Sequence, residues 1–256
     1  DPSAYFKVKA YAGDGNDGHA ITFDDTDTNM QPNMVWLKGR TFSDNHVIYD
    51  SVRGANKYFH PDTSAQEYDN ADPNFGVKSF DSDGFTLGQW SALNRSSENH
   101  ISWSWKETAD AGFDIVTYTG TGSAHTISHS LSAKPGFLIV KYRSGTANGQ
   151  VWHKSLPDSG DKVLYLSTNH GQQDEIMFND TEPTSSVFSV GSASETNTSS
   201  GTYVAYLWAE KQGFSKFGSY VGNGNASGPM VWTGMKPAFI LIKNTGAGED
   251  WWLMDN

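Results

Sequence analysis

The run Asp24 to Asn29, Asp-Asp-Thr-Asp-Thr-Asn, sets Asp25, Asp27 and Asn29 at alternate positions, as the front of a calcium loop distributes its oxygen ligands. The resemblance then fails. The sixth position, where such a loop needs glycine, is Met30, and the twelfth, where it needs a bidentate acid, is Trp36, so an EF-hand is excluded by its own geometry. What remains is a solvated acidic loop, with an irregular calcium site on Asp25, Asp27 and Asn29 as the alternative. No other cofactor is indicated.

The remaining reactive side chains do not form a catalytic pattern. Asp81 and Asp83 sit in Phe-Asp-Ser-Asp-Gly, a combination that favours a turn. His125 and His129 are four apart without an acidic third partner, and His19 and His125 each follow a glycine turn and precede an apolar residue, which suits a structural position. Glycoside hydrolysis needs two facing carboxylates, whereas Glu175, Glu182 and Glu195 fall at irregular spacing in loops. There is no Gly-x-Ser-x-Gly elbow and no phosphate-binding Gly-x-x-x-x-Gly-Lys. The chain reads as non-catalytic.

Aromatic residues are the more promising chemical material, with 9 Trp, 11 Tyr and 14 Phe among 256 residues. A flat ring exposed on a β-sheet can stack on the C–H face of a sugar. Trp36, Trp152 and Trp208 occupy repeated, strand-like positions and are expected to pack inside. Trp90, in Leu-Gly-Gln-Trp-Ser-Ala-Leu-Asn, and Trp232, in a loop-like stretch, are the candidate ligand-binding rings.

The elements that would hold these residues repeat. Pro32 to Lys38 (PNMVWLK), Pro135 to Lys141 (PGFLIVK) and Pro237 to Lys243 (PAFILIK) share one pattern, followed by Tyr49, Trp152 and Trp252 respectively. Each is preceded by a phenylalanine and Tyr-x-Gly-x-Gly: Tyr11, Gly13, Gly15; Tyr118, Gly120, Gly122; Tyr220, Gly222, Gly224. Asn94 to Lys106 likewise resembles Asn197 to Ala209. The period is roughly 100 residues, the size of a small domain, and divides the chain into 1–110, 111–211 and the first half of a third copy, 212–256. The polypeptide is expected to continue beyond this point.

No stretch carries a sustained 3.6-residue apolar period, while short aromatic and β-branched runs bounded by turn residues recur throughout. The expected fold is all-β: tandem antiparallel β-sandwich domains, jelly-roll or concanavalin-like. In the second copy, strands are expected near 113–119, 125–130, 137–143, 150–155, 162–167, 175–178, 187–190 and 202–209. The proline-led strand is apolar on both faces, so it should be buried on two sides, with Lys141 reaching solvent along its aliphatic stem. Links between copies are short, which predicts touching units stacked in a rigid rod.

Bulk properties narrow the partners. Net charge is −11, which opposes phosphate-backbone binding, and no apolar run approaches the roughly 20 residues of a spanning helix, so neither nucleic acid nor membrane insertion is expected. Cysteine is absent, leaving no disulfide framework. Four Asn-x-Ser/Thr sites, at Asn94, Asn179, Asn197 and Asn225, are no more than an Asn- and Ser-rich chain supplies by chance.

The combined pattern of Tyr-x-Gly-x-Gly, the proline-led strand, Phe-Asp-Ser-Asp-Gly-Phe-Thr-Leu-Gly (80–88) and an aromatic strand ending in Trp-Lys or Trp-Ala resembles a β-domain that recurs in tail-fibre-like and other structural virion proteins of marine tailed phages. That resemblance implies a non-catalytic virion or tail-fibre protein, at the virion surface or extracellular. Its implied partners are other virion subunits or itself as a homo-oligomer, and host-surface glycans. Two alternatives stand beside it: a secreted carbohydrate-binding module or glycanase on a concanavalin-like sandwich, and a capsid decoration or surface filament protein.

Overall fold

The computed structural model describes residues 1–23 and 28–256. Up to the first long aromatic strand the elements are β1 (Phe6–Ala12), β2 (His19–Thr22), β3 (Met34–Gly39), β4 (Val47–Asp50), β5 (Lys57–Phe59), β6 (Tyr68–Asp69), β7 (Val77–Asp81), β8 (Gly84–Leu87), the single helical turn α1 (Ser91–Asn94) and β9 (Asn99–Trp105). Then follow β10 (Phe113–Thr119), β11 (His125–Ser128), β12 (Pro135–Tyr142), β13 (Gln150–His153), β14 (Lys162–Tyr165), β15 (Gln173–Asp174), β16 (Val187–Val190), α2 (Ser194–Asn197) and β17 (Thr202–Ala209). A hairpin of β18 (Phe239–Ile242) and β19 (Trp252–Asp255) closes the series.

The all-β expectation holds. One six-stranded sheet runs β1-β9-β3-β4-β5-β6 and a second runs β10-β17-β12-β13-β14-β15, with every strand-to-strand pairing antiparallel. In each, the proline-led strand lies between the aromatic strand, β9 or β17, and its hairpin partner, β4 or β13. Two smaller sheets, β2-β8-β7 and β11-β16, form outer layers. Among the described residues no helix is long and apolar enough to cross a membrane.

Strand alternation distributes the apolar side chains into three cores. From β3, Met34 and Trp36 join a central core, while Val35 and Leu37 face β2, β8 and α1. From β12, Phe137 and Ile139 join the same central core, while Leu138 and Val140 face β11 and β16. The two large sheets therefore lie face to face, and the two-sided apolar strands are explained: one face is covered by the small sheet, the other by the opposite large sheet. Trp105 of β9 meets Trp208 of β17 edge-on across this junction, 6.2 Å between ring centres.

Three local expectations need correction. Lys141 is 1% exposed rather than solvent-seeking; its Nζ donates to the carbonyl of Ala147 at 2.6 Å and to that of Thr63 at 3.3 Å, so it ties the two sheets together. Residues 176–178 form a 3-10 turn, not a strand: Ile176 is exposed while the adjacent Met177 and Phe178 are both buried, and Asn179 and Asp180 follow at positive φ. A strand would have alternated these faces. The third Tyr-x-Gly-x-Gly does not form the turn of the first two. Gly13 and Gly120 press against the carbonyls of Arg95 and Thr198, whereas nothing lies within 4 Å of a Cβ built on Gly222, and Tyr220 is exposed.

The first two turns are held by buried asparagines. Asn94 Oδ1 accepts from the backbone N–H of Asp14, and Asn197 Oδ1 accepts from that of Thr121; their Nδ2 groups donate to the carbonyls of Gly88 and Gly191. Both asparagines are fully buried, so the sequons at Asn94 and Asn197 are inaccessible in this fold. The expected turn at 81–84 is present: Asp81 accepts from Ser79 and Thr86 hydroxyls at 2.7 Å, and Asp83 accepts from the Met30 N–H at 3.1 Å.

Candidate functional site

Segments distant in sequence converge at one edge of the central core. Trp36 arrives on β3, His46 immediately before β4, and Pro61 and Asp62 just after β5; residues 166–170 follow β14, and the β18–β19 hairpin brings Asp250 and Trp251. Together they border a cleft of about 550 Å³, within the size range of small-ligand sites.

The hairpin is fixed at this edge by bonds to both sheets. Trp251 Nε1 donates to the Tyr165 carbonyl at 2.8 Å, the Gln172 N–H to the Thr245 carbonyl at 2.8 Å, and Lys243 Nζ to the Asn169 carbonyl at 3.3 Å. Trp103 Nε1 donates to Asp255 Oδ2 at 3.1 Å from the first sheet. Phe239, Leu241, Trp251 and Leu253 pack on the central core.

His46 is the most constrained polar group of the cleft. Trp36 Nε1 donates to its Nδ1 at 3.0 Å; an indole N–H can only donate, so Nδ1 carries a lone pair and the neutral ring keeps its proton on Nε2. Burial pushes the imidazole down to about 4, with Lys38 acting in the same sense and Asp62 against it. The His46 backbone N–H donates to Asp62 Oδ2 at 3.0 Å. The cleft thus has apolar walls from Trp36, Trp251 and Leu166, and polar groups from neutral His46, Asp62, Asn169, His170 and Asp250, and among the described residues no lysine or arginine lines it.

A second polar cluster lies deep between the sheets. Asp50 Oδ2 accepts from Arg53 Nε and from the Tyr206 hydroxyl, both at 2.5 Å. Arg53 also donates to Glu67 at 2.9 Å, and Arg143 grips both oxygens of Glu67 at 2.8 and 3.0 Å. Asp50 and Arg53 side chains have no exposure, and Tyr206 and Arg143 come from the second sheet. The cluster has no access for a ligand; it joins the sheets. Nearby, burial pushes the Glu107 carboxyl up to about 7, helped by Asp114, although the N–H of Ile115 bonds it.

The residues singled out from sequence do not meet in one place. Trp90 caps the start of α1, stacks on Phe75 at 4.4 Å and leans on Tyr58 at 4.9 Å, leaving it half-buried in an aromatic cluster outside the first sheet. Trp232 is 78% exposed in an irregular stretch. Trp36, Trp152 and Trp208 are buried, as expected of packing residues. Asp25 and Asp27 lie outside the described residues, and Asn29 is exposed. Among the described residues no three His, Asp or Glu side chains group to hold a metal ion.

Sequence reasoning missed His46, Asp62, His170, Asp250 and Trp251 as a group, because they come from four separate loops with no common spacing. Only one signal was available: Trp251 adjoins the repeat ring Trp252, and neighbours in a strand face opposite ways.

A family profile described as a domain of unknown function, DUF7483, matches residues 1–256. No curated protein and no solved structure matches the chain.

Proposed function

The chain belongs to the DUF7483 family, a domain of unknown function, and we propose from its geometry that it is a non-catalytic structural module of a particle or fibre surface, of the tail-fibre or virion type, which assembles with further copies of itself. In this reading the large sheets are two tandem copies of one unit of roughly 100 residues. The common strand order, the paired small sheets and the equivalent roles of Asn94 and Asn197 support that division, as does the shared core, which suits a load-bearing role. A virion surface or extracellular position goes with it.

One observation carries the assembly reading. The β18–β19 hairpin buries its inner face on the central core but exposes Ile240 at 39%, Trp252 at 64% and Met254 at 44%. Among the described residues β18 pairs only with β19, whereas β3 and β12 have strands on both sides. The counterpart faces are covered: Leu138, Val140 and Trp152 pack with Ile127, Phe188 and Val190. An apolar face and an open strand edge on one hairpin form a ready association surface. The occupant proposed is the same hairpin of a second copy, since its outer positions Ile240 and Met254, and Ile242 and Trp252, pair across the ladder without a charge and can pack face to face as the large sheets do.

Sedimentation equilibrium from about 1 to 100 µM tests this. Concentration-dependent dimers or polymers are expected, abolished by Trp252→Glu with Ile240→Lys. A monomer throughout that range, or association unchanged by the double variant, overturns the proposal.

A further inference from the structure

We infer that the cleft between Trp36, His46, Asp62, His170, Asp250 and Trp251 is a binding site for a neutral saccharide. Both indole N–H groups are already committed to protein acceptors, Trp36 to His46 and Trp251 to the Tyr165 carbonyl. Trp36 is 5% exposed, so the ring surface left to the cleft is that of half-buried Trp251, an apolar face of the kind that stacks on the C–H face of a pyranose. Beside it stand acceptors on Asp62 and Asp250, an amide on Asn169 and the Nε2–H of a neutral His46. This mixture of ring face, carboxylate and amide is the recognition chemistry of a polyhydroxylated ligand, whose hydroxyls both donate and accept.

Charge selects the class. Among the described residues two aspartates line the cleft and no lysine or arginine does, in a chain of net charge −11. Sulfated, phosphorylated or sialylated sugars would carry an anion toward these carboxylates, and the lysine at the cleft's margin, Lys243, already donates to the Asn169 and Asn244 carbonyls, whereas a neutral hexose or pentose oligomer carries no such charge. The site is also built on fixed parts: Trp36 and Leu166 are core residues, and the hairpin bearing Trp251 is bonded to both sheets. Preorganised walls reduce the ordering cost of binding. Saccharide capture here needs no second copy, so it stands or falls apart from the association of the hairpin.

The test is a printed array of neutral hexose and pentose oligosaccharides beside sulfated and sialylated ones, probed with the full chain and followed by calorimetric titration of the best soluble oligosaccharide. Neutral oligosaccharides should bind. Trp251→Ala should weaken the affinity about tenfold or more, and Asp250→Ala and Asn169→Ala, which alter exposed side chains, severalfold. Trp90→Ala and Trp232→Ala should leave it unchanged. Because Trp251→Ala can loosen the hairpin, the two surface variants, checked for an unchanged melting temperature, carry the decision. Absence of binding to every neutral glycan, binding confined to anionic glycans, or full affinity in both surface variants overturns the inference. Release of reducing sugar from the bound oligomer overturns its restriction to binding and makes Asp62 and Asp250 the first carboxylates to replace.

Discussion

His46 and His153 show how burial of a single group becomes a property of the whole protein. Both imidazoles are pushed from their ordinary 6.5 down to about 4, chiefly by burial. A folded-state value below the unfolded one means that the unfolded chain takes up the proton first. The stability tied to these neutral rings is complete above about pH 6.5 and is lost as pH falls toward 4. The loss is on the order of 2 kcal/mol for each ring after allowance for partial exposure. Glu107 works the other way in the same window: its carboxyl, raised to about 7 by burial, favours folding while protonated and costs stability as pH rises from 4.5 to 7. Urea unfolding followed from pH 7.5 to 4.5 should therefore show a decline toward acid, and Glu107→Gln should be more stable at pH 7.5 and decline more steeply. A flat profile in the wild type, or a shallower one in the variant, contradicts these assignments.

At the scale of the element, identical residues have unequal structural consequences. Gly120 belongs to a turn closed by Asn197, and a Cβ placed there would meet the Thr198 carbonyl oxygen at 2.3 Å. Gly222 occupies the same place in the third Tyr-x-Gly-x-Gly, yet nothing lies within 4 Å of it. Gly120→Ala is expected to lower stability by about 2 kcal/mol or more, because backbone must move, and Gly222→Ala to change it by less than about 0.5 kcal/mol. Thermal melts of the two variants check this, and equal effects would contradict it. The glycine spacing was legible in the sequence; whether the turn closes depends on a partner, Asn197, that lies 77 positions after Gly120. Strand positions were largely legible too, because short apolar runs end at turn residues. The 3-10 turn at 176–178 was not, since three consecutive apolar residues do not reveal which way a chain bends.

At the scale of the molecule, the two large sheets depend on one core. Met34, Trp36, Ile48, Phe59, Ile101, Trp103 and Trp105 of the first sheet are buried only because the second sheet and the hairpin cover them. Each such side chain contributes about 1.5 to 3 kcal/mol through burial. Residues 1–110 produced alone should therefore bind a hydrophobic dye or associate, while the whole chain unfolds in urea as one transition by tryptophan fluorescence and far-ultraviolet circular dichroism. A soluble 1–110 fragment with a cooperative melt would show instead that the first sheet is self-sufficient. The same packing separates candidate site from sequence motif: Trp90 and Trp232 stood out for their local context, yet the cleft is bordered by Trp36, read as a packing residue, and by Trp251, which no repeat position marked.

The amino-acid sequence by itself determined the β class, the positions of most strands, and the glycine turns and two-sided burial of the proline-led strands in the first two copies, because these follow from neighbour-to-neighbour alternation and turn chemistry. Tertiary structure alone decided that the second apolar face of each large sheet is covered by the other, that Lys141 is buried, and that Trp36, His46, Asp62, His170, Asp250 and Trp251 share a cleft. The physical reason is that a strand's pattern records how much of it must leave water, but carries no information about which distant surface will cover it.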